Sequence, residues 1–479
     1  MKKNFKKVIA AALTAVMVAA LFAGCGSGSS DKKEEQASSA AAVSESSAPA
    51  AASSASEASS VAEETDKPYA GQTVRVLLNA HPWQEAIEPI VSEFEDKTGI
   101  DVEITVLGED AYWDRVNLGI SSEEPPFDVF MLSPNMTGYN GYVNGWIANL
   151  DDYVYADPSY EFDDIYPYIV DGFRFPDADG SIYGIPLTME TYMLFYRKDL
   201  FAEQNIDVSK LETIDDWMAA LDTIKAAYPD IAPAVIRGQD ATMPDELLAA
   251  VYNNWGDRPY LAQRMFYFDE DWNTQFTDPA VKAGFETWAK LLAMGPVGAT
   301  SFTWYECVNQ FAAGKAATYW FDASVFASTF EDPEQSQVVG KVGYAAIPKT
   351  ATGNGTTHWA WGLGITEKSP VKDAAFEFIK WGTSKEMNIY TATGTYGPVR
   401  ASAWEAKSEE FGEESCNAFD TCLNMSAPGY MYFNGAGEVT DKIIDAVVRI
   451  SQGEDLDTVM EWMDQQAKEI VEKEGLKNQ

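Results

Sequence analysis

The chain has 479 residues, 46% of them hydrophobic, with 74 Asp or Glu against 34 Lys or Arg and a formal net charge of −40 at pH 7. A chain this long and apolar can bury several cores, so disorder throughout is excluded, and its acidic surface repels phosphate backbones and anionic headgroups, so nucleic acid is not an expected partner. With only two histidines, His81 and His358, a His-rich zinc site and most His-based catalytic triads are hard to assemble.

Lys2, Lys3, Lys6 and Lys7 precede an apolar run from Val8 to Ala23, which is short for a membrane span and suits a secretory signal. The run ends in Leu21-Phe22-Ala23-Gly24-Cys25, which resembles a bacterial lipobox, with Phe22 where Leu is commoner. Residues 1–24 are therefore expected to be a lipoprotein signal peptide, with Cys25 carrying acyl chains such as palmitate; the alternative is an ordinary signal with an incidental cysteine. Residues 25–68 are more than half Ala and Ser and read as a flexible tether. Three further cysteines, Cys307, Cys416 and Cys422, form neither a disulfide framework nor a metal motif. A Cys416–Cys422 bridge and buried free thiols both remain open for an exported protein.

Thr73 to Leu78 reads as a first strand, and apolar residues then recur with helical period from Trp83 to Phe94, with Pro89 inside. Gly99 stops this helix, and Ile100 to Val106 alternate as a second strand. Phe127 to Leu132 is a continuous apolar run, as expected of a buried strand. Helices are expected at Ile214–Tyr228, at Pro370–Trp381 with Ser369 as N-cap, and at Val439–Ile450, alternating with short strands. The pattern is α/β throughout. Asp177-Ala178-Asp179-Gly180 has a faint calcium-loop look but lacks the remaining ligands, and a turn before Ile182 is the simpler reading. No metal or cofactor is expected.

Sheets of this kind bind ligands at the carboxyl ends of their strands. The loops there carry Asn79, His81 and Trp83; Ser133 and Asn135; Glu190 and Tyr192; Arg237 and Gln239; Trp320 and Asp322; and Trp359 and Trp361. Aromatic faces mixed with carboxylate, amide and guanidinium groups suit a sugar or polyol, because rings cover C–H patches while multivalent polar groups grip vicinal hydroxyls.

Ile182 to Leu187 followed by Leu194 to Phe201 resembles the lobe-crossing segment of extracellular solute-binding proteins of sugar ABC importers. The stretches Phe311–Ala317, Trp320–Ser324, Phe378–Trp381 and Gly397–Arg400 are similar to the same superfamily. Arg237-Gly238, Asp332–Glu334 leading to Gly340–Tyr344, and Trp359–Ile365 resemble its sorbitol/mannitol-type branch. The resemblance spans about Gly71 to about Ile470. It implies a two-lobed, type II periplasmic-binding-protein-like α/β fold with a ligand cleft between lobes joined by hinge strands. The implied N-terminal lobe is 69–187 plus about 350–399, and the C-terminal lobe 188–349 plus about 400–475. It implies a monomer on the outer face of the cytoplasmic membrane, closing on its ligand and delivering it to a permease pair driven by a cytoplasmic ATPase.

By the same resemblance, Glu190 accepts from ligand hydroxyls, Arg237 donates a bidentate pair, Asp322 accepts from a diol, and one of Trp359 and Trp361 forms a stacking floor. Met189 replaces a usual small residue, and the sequence departs from the branch pattern at Asn79 and His81. Each assignment competes with a structural role. Glu190 can be solvated, Arg237 can be one arm of a salt bridge, Asp322 can cap a helix near Ala323, and His81 before Pro82 can be a turn residue. Trp320, and one of the Trp359/Trp361 pair, can be core. Two other functions compete with non-catalytic capture: an exported glycoside hydrolase, which needs two suitably spaced carboxylates, and a peptide or amino-acid binder, which needs a carboxylate/ammonium clamp. The tether and the crossing segment favour capture. Which sugar or polyol is bound is not readable from the sequence.

Overall fold

The computed structural model describes residues 67–478 apart from 177–178, 240–241, 260–265, 393–396, 429–430 and 432. The expected signal peptide, Cys25, the tether to residue 66 and the first half of Asp177–Gly180 lie outside the described residues.

Eight strands join in one sheet: β1 (Thr73–Asn79), β2 (Asp101–Leu107), β3 (Val129–Leu132), β4 (Ile185–Arg197), β5 (Thr318–Ala323), β6 (Val342–Ala345), β7 (Thr356–Ile365) and β8 (Ser426–Pro428). The order is β2-β1-β3-β7-β4-β5, with β8 beside β7 and β6 beside β4. The β2-β1-β3 trio is parallel, β7 runs antiparallel to both β3 and β4, and β5 and β6 run antiparallel to β4. β3 is buried at every residue, as its unbroken apolar run requires, while β2 alternates between exposed and half-buried as an edge strand.

β4 determines the architecture. All thirteen of its residues are buried; Ile185–Thr191 pair with β7, whereas Tyr192–Arg197 lie between β5 and β6. One strand therefore leaves the β1-side region of the sheet and enters the β5-side region. β7 does the same: Gly362–Ile365 pair with β3 and Thr356–His358 with β8. Gly397 bonds β4 through reciprocal N–H···O contacts with Met189, both 3.1 Å. A Cβ on Gly397 would lie 2.3 Å from the Met189 carbonyl oxygen, so only glycine permits this approach.

The helix expected over Trp83–Phe94 is broken into α1 (Pro82–Ile87), a 3₁₀ turn over Glu88–Ile90, and α2 (Val91–Thr98). Pro89 has no N–H to continue the ladder and clashes with the preceding turn, which accounts for the break. Gly99 ends α2 at φ 73°, as expected. α3 (Glu109–Gly119) packs on β1 and β2. α4 (Ile214–Ala227) opens with a reciprocal Thr213/Asp216 capping box. α5 (Met243–Trp255) packs against α6 (Pro279–Ala293) and β7, and α7 (Trp304–Ala312) against β5.

α8 (Lys372–Gly382) starts later than expected, with Val371 at its N-cap. The Ser369 hydroxyl instead donates to Asp128 Oδ1 at 2.8 Å, a buried carboxylate that Arg75 also holds with two bonds of 2.9 Å. The same hydroxyl accepts from the Val371 N–H at 3.2 Å, so a local turn bond and a distant buried acceptor share it. α9 (Glu413–Met425) carries Cys416 and Cys422, which like Cys307 are free thiols; burial pushes the Cys422 thiol up to about 12. α10 (Ala436–Ser451) extends beyond its expected start at Val439. No helix among the described residues is long and apolar enough to cross a membrane.

Candidate ligand cleft between the two sheet regions

Two polar clusters meet where β4 crosses. On the β1 side, His81 follows the end of β1 and is the N-cap of α1. The Trp83 N–H donates to His81 Nδ1 at 3.1 Å, so Nδ1 is an acceptor and the ring proton resides on Nε2. Nε2 faces Glu190 Oε1 at 3.1 Å, joining residues 109 apart in sequence. His81 therefore takes the turn role weighed for it and is bonded to Glu190 as well. Asn79, two residues earlier, is buried, and its Oδ1 has no protein hydrogen-bond partner.

Register places Glu190 opposite Trp359 and Thr188 opposite Trp361, so these four side chains share one face. Trp361 lies flat on Trp113 of α3 (5.3 Å, 9° between planes), with Trp359, Tyr112 and His81 against it edge-on or tilted. One face of the expected stacking floor is thus covered by Trp113, a residue sequence reasoning did not single out. Its Tyr112-Trp113 pair on an amphipathic helix was the available signal. Both Trp359 and Trp361 are buried.

On the β5 side, Arg237 and Asp322 hold each other. Arg237 Nε donates to Asp322 Oδ2 at 2.8 Å and Nη2 to Oδ1 at 2.6 Å, while Nη1 donates to Thr242 Oγ1 at 2.8 Å and to Glu246 Oε1 at 2.9 Å. Asp322 also accepts from the Ala323 N–H and from the Tyr319 hydroxyl, so all four acceptor positions of this fully buried carboxylate are filled by protein. In this structure Arg237 takes the salt-bridge arm weighed for it. Asp322 caps no helix: the following 3₁₀ turn has Ala323 at its N-cap, without a side-chain bond.

The Tyr319 contact depends on backbone chemistry. Phe321 has φ 51° and is the extra residue of a β-bulge, since Asp322 pairs with Met193 and Trp320 with Leu194. The bulge places residues 319 and 322, three apart, on one face, and turns Trp320 to the other. Trp320 is fully buried, with its ring against Trp217 and Phe321 and its Nε1–H on Thr318 Oγ1, so it is a core residue here rather than part of the cluster. Gly238, after Arg237, must be glycine because a Cβ would stand 2.1 Å from the Ala299 carbonyl oxygen.

Tyr192 lies two residues beyond Glu190 on β4, at the second cluster. Burial first, then the charge of Glu246, pushes its phenol well above the ordinary range, so it keeps its O–H, and the hydroxyl has no protein partner. Tyr319 is held protonated in the same way, by burial and then by Asp322. β4 therefore delivers one residue to each cluster. Thr242, Glu246 and Tyr319 were not singled out from sequence, because a helical Glu and a strand Tyr carry no mark of their long-range partners. Among the described residues no group of three or more His, Cys, Asp or Glu side chains is placed to hold a metal ion.

A mannitol-binding protein from Pseudomonas aeruginosa is 28% identical over 296 residues, 61% of this chain and 64% of the relative, so the chain spans less than two thirds of that protein's length. An erythritol/L-threitol-binding protein from Mycolicibacterium smegmatis is 25% identical over 74% of this chain and 77% of its own. Among solved structures, an ABC transporter solute-binding protein from Agrobacterium vitis with bound D-mannitol superposes with a TM-score of 0.73 at 24% identity, over 84% of this chain and 99% of that one. The fold is accordingly the type II solute-binding α/β fold, with β4 and β7 as the strands that pass between the two regions of its sheet. The model of the bacterial extracellular solute-binding protein family matches residues 80–389, and the chain belongs to that family.

Proposed function

We propose that this protein captures a neutral polyol or sugar outside the cell by cleft closure and delivers it to an ABC permease, performing no chemistry on it. The observation that carries this reading is the polarity of the crossing point. Its cation, Arg237, is already held by Asp322 and Glu246, and Glu190 is bonded to the His81 ring, while the buried atoms without a hydrogen-bond partner include the neutral Asn79 Oδ1, Thr188 Oγ1 and Tyr192 hydroxyl. Such a site favours hydroxyls, because a neutral partner satisfies those atoms without leaving a new charge buried. An amino-acid ligand would need a guanidinium free for its carboxylate, and Arg237 is engaged on both sides. The polyol-binding relatives, and the neighbour holding D-mannitol, support the polyol class.

In this reading the lobes are 69–187 with about 350–399 and 188–349 with about 400–475. Cys25 carries the lipid, residues 25–68 form the tether, and the protein works as a monomer. A thermal-shift panel of D-mannitol, ribitol, erythritol, maltose and the standard amino acids tests the ligand class. A polyol should raise Tm in a concentration-dependent way, since ligand binding only the folded state stabilises it by mass action. A shift with amino acids alone, or release of reducing sugar from any glycan, would sink the proposal.

A further inference from the structure

One side-chain bridge joins the two sheet regions outside the polar clusters. Glu109 opens α3, which packs on β1 and β2; Trp304 opens α7, which packs on β5, 195 residues along the chain. The Trp304 Nε1–H donates to Glu109 Oε2 at 2.6 Å, and the Trp113 Nε1–H, one turn along α3, reaches the other oxygen at 3.4 Å. Neither indole is adrift. Trp304 stacks on Phe326 (5.5 Å, 13°), four residues beyond Asp322, and Trp113 lies flat on Trp361. A single carboxylate thus connects the indole floor of one region to the element that follows the buried ion pair of the other.

We propose that Glu109 is a closing clasp, a positioning residue that ties Trp304 to Trp113 and so sets the indole stack on Trp361 when the two regions shut. A hydrogen bond to a carboxylate is stronger than one between neutral groups, and here both partners are half-buried, away from full competition with water. Opening the cleft carries α7 away from α3 and breaks the Trp304 bond, while the Trp113 contact, within α3, survives. The bridge therefore distinguishes the two states, as any device that biases their populations must. Its consequence for ligand release rests on the capture reading above, but its own test needs no ligand.

The test combines hydrogen exchange at the indole N–H groups with small-angle scattering. The Trp304 and Trp113 indole signals are assigned by their loss in Trp304→Phe and Trp113→Phe. In the wild-type protein without ligand, the Trp304 indole N–H should be protected. Glu109→Ala should abolish that protection, shift the Trp113 resonance and enlarge the radius of gyration; Trp304→Phe, which keeps the stack on Phe326, should enlarge it equally. Glu109→Gln, which retains an acceptor, should restore part of both effects. An unprotected Trp304 indole in the wild type overturns the clasp, as does an unchanged radius in both Glu109→Ala and Trp304→Phe. In a final arm with D-mannitol, Glu109→Ala should release ligand about tenfold faster with little change in association. Absence of D-mannitol binding to the wild type counts against the polyol reading and leaves the ligand-free result to judge the clasp.

Discussion

Glu190 and Asp322 are both buried carboxylates at the crossing point, but their surroundings assign them different work. Glu190 has one described side-chain partner, His81, and stands beside unpartnered neutral groups, and in the capture proposed above its second oxygen is the acceptor for a ligand hydroxyl. Glu190→Gln should weaken polyol binding about tenfold or more while leaving Tm nearly unchanged, measured by calorimetry and thermal unfolding. Asp322 is saturated by Arg237, Tyr319 and the Ala323 N–H, so Asp322→Asn should instead destabilise the fold by about 3 kcal/mol, because it leaves the guanidinium buried with a poorer partner. Equal losses of affinity and stability in both variants would erase the distinction. His358 supplies a pH prediction. Burial lowers its pKa from 6.5 to about 4, so between those values the unfolded chain binds a proton that the folded chain does not. Its stability contribution is complete above pH 6.5 and is lost as pH falls toward 4, by up to about 3 kcal/mol. His358→Gln should flatten that part of the urea-unfolding profile relative to the wild type.

At the scale of elements, periodicity and turn chemistry were readable because they are local. β1, β2, β3, the Gly99 stop and the helix over Ile214–Ala227 follow from apolar spacing, capping and glycine placement. The break at Pro89 has a local cause, whereas other departures involve strand pairing or partners far away in sequence. Ser369 accepts from the Val371 N–H ahead of its helix but also serves Asp128, 241 residues earlier, and the bulge at Phe321 shifts the phase of β5 so that Trp320 and Asp322 part company. The site follows the same rule. His81, Glu190, Arg237 and Asp322 were legible as residue types, but Glu190 and Asp322 were expected in loops and lie within β4 and β5, and the pairing across 109 and 85 residues is a property of the fold, as is the cover that Trp113 places on Trp361. Gly397 is the most exacting of these local-to-distant junctions. Gly397→Ala must displace β4 or Phe419, whose ring would stand 2.8 Å from the new Cβ, and should cost about 2 kcal/mol or more in urea unfolding. A neutral result would mean the Met189–Gly397 bridge bends freely.

At the scale of the molecule, the formal charge of −40 bears on where the protein resides. An anionic membrane surface repels a body of this sign over a Debye length of about 8 Å at physiological salt, so electrostatics cannot supply membrane attachment. Among the described residues no helix can cross a bilayer. In the anchoring proposed above the attachment is covalent lipid on Cys25, and because one acyl chain gives only weak, reversible binding, that proposal requires at least two chains for a stable anchor. In the same proposal the Ala/Ser-rich composition of residues 25–68 suits a spacer that keeps the acidic body off the surface that repels it. Cys25→Ser should therefore move the protein from the membrane fraction to the medium without altering polyol affinity. The purified Cys25→Ser protein should fail to sediment with phosphatidylglycerol vesicles at low and physiological salt alike. Retention of Cys25→Ser on membranes, or salt-sensitive binding to those vesicles, would show that a protein surface, and not the lipid, makes the attachment.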